Sequence, residues 1–427
     1  MVDDGPNRNV TAPTQPRAAI VASGSELVRG DRHDRNGPFL AQSLLRLGVD
    51  PARITVVGDD AADLEAALRE GLAFDLLAVS GGLGPTHDDR TIELLAHAAG
   101  VGVHVDEELA AEIEQISRRV AERLNRPYAD FEQGVRKQAT IPDGAIVVGL
   151  AGTAPAVVLD TGAAIAVALP GPPRELQTLW PRVLETEPVR RLLAQARPVE
   201  RRVLRFYGAS ESEVARALAD AGGDGNGVDV TICAREFEIH VDLFVQPGAE
   251  ARAAELESAL ESRHLFSREE VGTAELVLGL LRERGLTLAT AESCTGGLVA
   301  ARVTDVPGSS DVFLGAVVAY ADEVKSAGLG VSEELLREHG AVSAEVAAAM
   351  ARGARERLGA DVAVSVTGIA GPGGGSAEKP VGLVYLHASG PAGDKARQFD
   401  FPGDRETIRL RAAVAALHLV RRLVTEA

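Results

Sequence analysis

Short apolar blocks, each closed by a glycine-rich polar turn and followed by apolar residues at helical spacing, recur from Arg17 onward. Ala18–Ala22, Ile54–Val57 and Leu76–Ser80 have the length and composition of buried strands. Their turns are Ser23-Gly24-Ser25-Glu26, Gly58-Asp59-Asp60 and the run Gly81 to Asp89, and helical runs follow over 39–47, 61–70 and 91–99. This alternation predicts an α/β sandwich with a mostly parallel sheet, whose ligands bind beyond the carboxyl ends of the strands. After Arg197-Pro198 the pattern changes. A strand Arg202–Tyr207 precedes Ser210-Glu211-Ser212-Glu213, a capping box opening a helix to Asp220. Phe237, Ile239, Val241, Leu243 and Val245 then alternate with Glu238, His240 and Asp242, predicting a half-buried strand before a helix at 249–262. From Val271 the α/β pattern returns, with a helix at 273–284 and strands at 286–290, 312–320, 362–366 and 381–387. The chain therefore reads as a tail (1–16), an α/β domain (17–198), a small α+β domain (199–268) and a second α/β domain (269–427).

Composition narrows the function classes. The 427 residues allow more than one buried core, and 45% hydrophobic with 25% charged residues is ordinary for a globular protein. No apolar run approaches the roughly 18 residues of a membrane span, and the first sixteen residues, with Asp3, Asp4, Pro6, Pro13 and Pro16, lack the apolar stretch of a leader. A cytoplasmic protein is expected. The net charge of −18 is uneven, with 28 Lys and Arg against 43 Asp and Glu in residues 1–270 and 16 against 19 in 271–427. That balance counts against nucleic acid or an anionic membrane as partners. Cys233 and Cys294 give neither a disulfide framework nor metal-ligand spacing.

The most chemically suggestive stretch is Ala291-Glu292-Ser293-Cys294-Thr295-Gly296-Gly297, which sets three possible nucleophiles between a strand and a helix. Its glycines are expected to leave N–H groups near Thr295, Gly296 and Gly297 open to an oxyanion or a phosphate. Cys294 competes as nucleophile, because a helix N-terminus favours the thiolate; its other reading is a small buried residue. His339, His387 and His418 lie outside the glycine-rich and strand-end loops, so a lysine is the better base. Tyr320 ends a strand and Lys325 enters the next helix, which can face both toward the edge that carries Ser293; the alternatives are a half-buried core tyrosine and a solvated lysine. Five glycines in Thr367–Gly375, among them Gly371, Gly373 and Gly374, predict a loop lying against a ligand or another backbone, or a flexible connection. Arg405 and Arg409, one turn apart, suit a phosphate or carboxylate. In the first domain, Gly81, Gly82 and Gly84 can present N–H groups to phosphate, while Asp59, Asp60, Asp88 and Asp89 either hold a hard cation or cap helices.

Ser25-Glu26-Leu27, Asn36, Val57-Gly58-Asp59-Asp60, the run Ser80–Asp89, Arg136–Ala145, Gly152-Thr153-Ala154-Pro155 and Leu169–Leu176 together resemble the amino-terminal, molybdopterin-binding-like domain of the CinA family. Residues 199–268 resemble its KH-like middle domain. Ala291–Gly297, Tyr320 with Lys325, Gly340–Ser343, Thr367–Gly375 with Lys379–Gly382, and Gly403-Asp404-Arg405 with Arg409 resemble its carboxyl-terminal domain. The resemblance implies a nicotinamide-nucleotide amidase that converts nicotinamide mononucleotide to nicotinic acid mononucleotide and ammonia without a cofactor. Ser293 would be the nucleophile, Lys325 its base and Tyr320 a proton-transfer or orienting group. Thr295, Gly296, Gly297, Gly371, Gly373, Gly374 and Arg405 or Arg409 would bind substrate. It further implies an ADP-ribose pyrophosphatase in the first domain, with Glu26, Asn36, Gly81, Gly82, Gly84 and Thr86 around the nucleotide and a divalent metal at Asp59, Asp88 and Asp89. Pyridine and adenine nucleotides would be the ligands and a homodimer the assembly. The chain departs from the family pattern at Asp34, at His87 in place of a lysine, and at Asp322 in place of an asparagine.

Overall fold

The computed structural model describes residues 15–426, so most of the expected tail lies outside the described residues. The chain divides into two compact units, one built on residues up to Arg201 with 226–228 and 244–252, the other on 202–225, 229–243 and 253–427.

The strands of the first unit are β1 (Arg17–Ser23), β2 (Asp50–Val57), β3 (Leu76–Ser80), β4 (Val103–Val105), β5 (Thr140–Pro142), β6 (Ile146–Leu150), β7 (Pro155–Asp160) and β8 (Ile165–Leu169). Six form one sheet in the order β2-β1-β3-β8-β7-β6, the first four parallel and the last two antiparallel. Register sets Ser23 opposite Val57, Ala22 opposite Ser80 and Ser80 opposite Leu169, so the loops after these strands gather at one edge. Each sheet face buries one side of a helix layer. Leu64 and Leu68 of the helix Ala61–Gly71 pack on one face, Leu40 and Leu44 of the helix Asn36–Arg46 with Trp180 on the other. Each buried leucine contributes about 1.5 to 3 kcal/mol. Asp60 caps the first of these helices through the N–H groups of Ala62 (2.9 Å) and Asp63 (3.2 Å), which settles its role as a cap.

In the second unit β9 (Glu200–Tyr207), β10 (Val228–Arg235), β11 (Glu238–Val245) and β12 (Leu265–Ser267) form a sheet ordered β10-β11-β9-β12. The capping box holds, with Ser210 Oγ accepting from Glu213 N–H at 3.1 Å. β13 (Leu288–Glu292), β14 (Phe313–Val318), β15 (Val362–Gly368), β16 (Leu383–Gly390) and β17 (Gly393–Asp400) form a five-stranded sheet ordered β14-β13-β15-β16-β17. The first three are parallel and the last two antiparallel. Helices Thr273–Glu283, Leu298–Thr304 and Arg405–Thr425 cover one face; Asp322–Leu329 and Ala344–Leu358 cover the other. These α/β sandwiches with mostly parallel sheets, and the small α+β element, match the expected class. No helix of the described residues is long and apolar enough to cross a membrane.

One expected surface position is buried. Glu238, assigned by alternation to the polar face of its strand, is enclosed against the carboxyl-terminal helix. Its Oε1 accepts from His418 Nε2 (2.8 Å) and from the Thr273 hydroxyl, and its Oε2 faces His240 Nε2 at 3.2 Å. His418, 1% exposed, stacks on Tyr207 (3.7 Å between centroids) and meets Phe266 edge-on. Its Nδ1 accepts from Arg421 Nε (3.4 Å), so the ring is neutral with its proton on Nε2. Burial pushes His418 down to about 4. Burial also opposes the Glu238 carboxylate, but the bonds from His240, His418 and Thr273 outweigh it and hold it down at about 2. The unfolded chain binds protons at both groups more readily than the folded one, so stability is lost as the pH falls. The loss begins below about 6.5 at His418 and is joined below about 4.5 by Glu238. We expect His418→Ala, which removes a hydrogen bond to the buried carboxylate, to cost about 1.5 to 3 kcal/mol in denaturant unfolding and to flatten the dependence between about pH 4 and 6.5; a variant with wild-type stability and slope would contradict this arrangement.

Candidate functional site

Ser293 stands immediately after β13, where its N–H donates to Val366 O of the neighbouring parallel strand (2.8 Å). β13 lies between β14 and β15, so the loops after all three strands share the edge that carries Ser293. The turn closes through Gly296 N–H to Ser293 O (3.0 Å), and Gly297, with φ +94°, leads into the helix Leu298–Thr304. An L side chain is strained at that angle, which accounts for the glycine.

Two of the three N–H groups expected to be free here, those of Gly296 and Gly297, are engaged. Glu292, 0% exposed, accepts Gly297 N–H at 2.9 Å, Val299 N–H at 3.0 Å and Ala300 N–H at 2.8 Å, and Thr290 Oγ1 lies 3.3 Å from it. With Gly296 N–H bonded to Ser293 O, the Gly296 and Gly297 donors expected for an oxyanion are already engaged. Sequence reading missed Glu292; the available signal was a carboxylate closing an otherwise apolar strand. Thr295 Oγ1 is buried without a hydrogen-bond partner among the described residues.

Lys325 is 1% exposed, excluding the solvated alternative. Its Nζ donates to Tyr320 O and to Asp322 Oδ1, both at 3.2 Å. Asp322, the departure from the family pattern, thus anchors the lysine. No hydrogen bond joins Lys325 to Ser293 Oγ among the described residues; an ammonium has three donor positions and two are filled. Tyr320 is 59% exposed and is no core residue, and its hydroxyl accepts from Arg405 Nη2 at 2.9 Å. Arg405 Nη1 also donates to Gly371 O (2.7 Å), while Arg409 Nη2 donates to Thr295 O (2.8 Å). The two arginines therefore tie the serine turn, Tyr320 and the glycine loop to the start of the last helix. Within that loop Gly371 packs against Val381, whereas Gly373 has no neighbour within 4 Å of where a side chain would begin and Gly374 only Ile369 at 3.9 Å. Lys379 pins the loop to the carbonyls of His339 and Val342, each at 2.8 Å. Cys294 is buried in the core, and desolvation pushes its thiol up to about 12, so no thiolate is on hand there.

The first unit carries its own cavity of about 1000 Å³, lined by Glu26, Asp34, Asn36, Asp59, Gly81, Gly82, Gly84, Asp88, Asp89 and Glu175 among others. Asn36 donates Nδ2 to Ser80 Oγ and Gly171 O, both at 2.7 Å, leaving Oδ1 buried and without a partner among the described residues. Gly81, with φ +102°, brings its backbone against Ser23 O, where a Cβ would sit 2.2 Å away. Thr86 and the three aspartates answer to neighbours. Asp59 accepts Ser25 N–H (3.0 Å), and Asp89 accepts both Thr86 N–H (2.9 Å) and Thr86 Oγ1 (2.5 Å). Asp88 is held below the usual carboxylate range, first by the Thr86 side chain, then by a backbone N–H and less by the charge of Lys137. Among the described residues no group of three or more His, Cys, Asp or Glu can hold a metal ion, so the aspartate cluster expected at Asp59, Asp88 and Asp89 is not preassembled and does not fit a metal held by protein ligands alone. His87 points into solvent, its side chain 98% exposed, but Lys137 Nζ reaches the Thr86 carbonyl and brings an ammonium to the same loop.

Residues 271–424 match the family model for the CinA C-terminal domain, and residues 19–190 match that for a probable molybdopterin binding domain. A CinA-like protein of Mycolicibacterium paratuberculosis (strain ATCC BAA-968 / K-10) is 43% identical over 436 residues, covering 97% of this chain and 100% of that protein. One of Mycobacterium sp. (strain MCS) is 44% identical over 424 residues, covering 96% and 99%. Among solved structures, the competence/damage inducible protein CihA from Agrobacterium tumefaciens shares 44% identity, with 35% of this chain and 93% of that chain covered and a TM-score of 0.35.

Proposed function

We propose an amidase function for this chain, which belongs to the CinA family: its carboxyl-terminal domain hydrolyses nicotinamide mononucleotide to nicotinic acid mononucleotide and ammonia. The observation that carries this reading is the buried Lys325 at the same sheet edge as Ser293, with two arginines bonded to the residues around them. In the first step Ser293 Oγ attacks the carboxamide carbon while Lys325, in its neutral form, takes the hydroxyl proton. The tetrahedral intermediate collapses as the C–N bond breaks, the nitrogen takes the proton from Lys325, and ammonia leaves an ester on Ser293. Water then attacks the ester, giving a proton to Lys325; as the ester C–O bond breaks, Lys325 returns that proton to Ser293 Oγ, and the acid that departs loses its own proton to solvent. Arg409, beside the serine turn, supplies positive charge at the reacting end. Arg405, exposed with Tyr320 at the rim, suits the 5′-phosphate. No cofactor enters these steps.

A second reading is supported by the cavity of the first unit, whose volume and unpartnered Asn36 Oδ1 suit a nucleotide that donates a hydroxyl or amino group. ADP-ribose is the ligand we propose there. A metal would have to be recruited with the pyrophosphate, and no step is drawn through it.

We expect ammonia release from nicotinamide mononucleotide to vanish in Ser293→Ala, to fall about 10² to 10⁴-fold in Lys325→Gln, and to stay within a few-fold of wild type in Cys294→Ala; an active Ser293→Ala would sink the assignment. For the cavity, calorimetric titration should show ADP-ribose binding that weakens about tenfold in Asn36→Ala, the loss of roughly one hydrogen bond. Unchanged affinity in that variant would contradict the second reading.

A further inference from the structure

A carboxylate at the centre of the sheet calls for a reason. Glu292 is the last residue of β13, paired through its backbone with Val318 on one side and Val366 on the other, and no part of it reaches solvent. Burying an ionised group without partners costs several kcal/mol, so its surroundings have to provide donors. They do: its side chain bends over the Ser293 turn and collects three consecutive-turn N–H groups of the following helix, with the Thr290 hydroxyl as a fourth donor. The helix has no cap of its own, since Gly297 carries no side chain. Ser293 is thereby fixed from both directions, by its own N–H on Val366 O and by the clamp that ties the strand end to the helix beyond the turn.

We propose that Glu292 is a positioning residue for Ser293, setting the direction of the serine hydroxyl by clamping the turn, and that the Gly297, Val299 and Ala300 N–H groups are thereby withdrawn from the oxyanion. The two consequences are linked by stoichiometry: the N–H groups that hold the clamp are closed to an oxyanion. The inference rests on Ser293 being the nucleophile. Glutamine in place of glutamate keeps the shape but turns an NH2 group toward N–H donors that need an acceptor, loosening the turn without emptying the site.

The test compares wild type with Glu292→Gln in three measurements: kcat and KM for nicotinamide mononucleotide, the rate at which a fluorophosphonate labels Ser293, and amide exchange at Gly297, Val299 and Ala300. We expect kcat and the labelling rate to drop about 10²-fold, the scale of an ångström's misplacement, with KM changed less than about threefold and exchange faster at the three amides. A purely structural role would lower unfolding stability yet leave kcat and labelling at wild-type values in the folded variant, and that result overturns the inference. If wild type releases no ammonia while labelling still falls in Glu292→Gln, the amidase reading fails and the positioning role stands. Should Glu292→Gln not fold, Thr290→Val removes one donor and keeps the carboxylate. A smaller fall in labelling is then expected, and an unchanged rate overturns the inference.

Discussion

A carboxylate shut away from water must find its donors in the protein, and in the carboxyl-terminal domain that requirement shapes the site. Glu292 lies at the end of the central strand, and the donors it takes are the opening N–H groups of the next helix. Everything between them, from Ser293 to Gly296, is held in a turn too short to move independently. The glycine at Gly297 allows the chain to re-enter the helix at a left-handed angle, and the absence of a side chain there leaves the cap to Glu292. Lys325 is buried under the same constraint and is anchored by the Tyr320 carbonyl and the Asp322 carboxylate. The site is thus built around two enclosed ionisable side chains, each satisfied by residues close to it in sequence.

The amino-terminal unit uses the same sheet edge differently. There β1 and β3 end in the small residues Ser23 and Ser80, and glycines at Gly81, Gly82 and Gly84 let loop backbone approach neighbouring strands and side chains closely. What results is an open cavity at whose rim Asp34, Asp59 and Asp89 are individually hydrogen bonded, with Asn36 Oδ1 left for a ligand. The contrast is physical. One site is preassembled by buried ionisable side chains, while the other has a frame that a ligand completes. Lys137, arriving from a helix distant in sequence, brings a positive charge to the glycine loop, whereas His87 points into solvent.

Much of this was legible in the chain. The strand-turn-helix alternation located both α/β sheets and the edge where chemistry gathers, and it set Ser293 and Tyr320 at neighbouring strand ends with Lys325 in the helix that follows Tyr320. The misreadings share one cause. The apolar pattern ends its strand at residue 290, whereas β13 runs to Glu292. The same rule sends Glu238 to solvent, although His418 and Thr273 enclose it. A polar residue reads as exposed unless its partners are known, and those partners lie up to 180 residues away in sequence. The open helix N-terminus was misjudged for the same reason, since nothing in a glycine pair announces that a glutamate five residues earlier will occupy its donors. The arginine contacts are likewise tertiary: Arg405 meeting Tyr320 and Arg409 meeting Thr295 join segments 85 and 114 residues apart.

The account turns on Ser293 carrying the acyl group between the release of ammonia and the arrival of water. An acyl ester is open to a nucleophile stronger than water, so turnover of nicotinamide mononucleotide in the presence of hydroxylamine is the most direct measurement. The account predicts a nucleotide hydroxamate that rises with hydroxylamine concentration at the expense of nicotinic acid mononucleotide, formed by the wild-type protein and by Cys294→Ala and absent with Ser293→Ala. Ammonia release at the full rate with no hydroxamate at any hydroxylamine concentration would mean that water attacks the amide directly, and would contradict it.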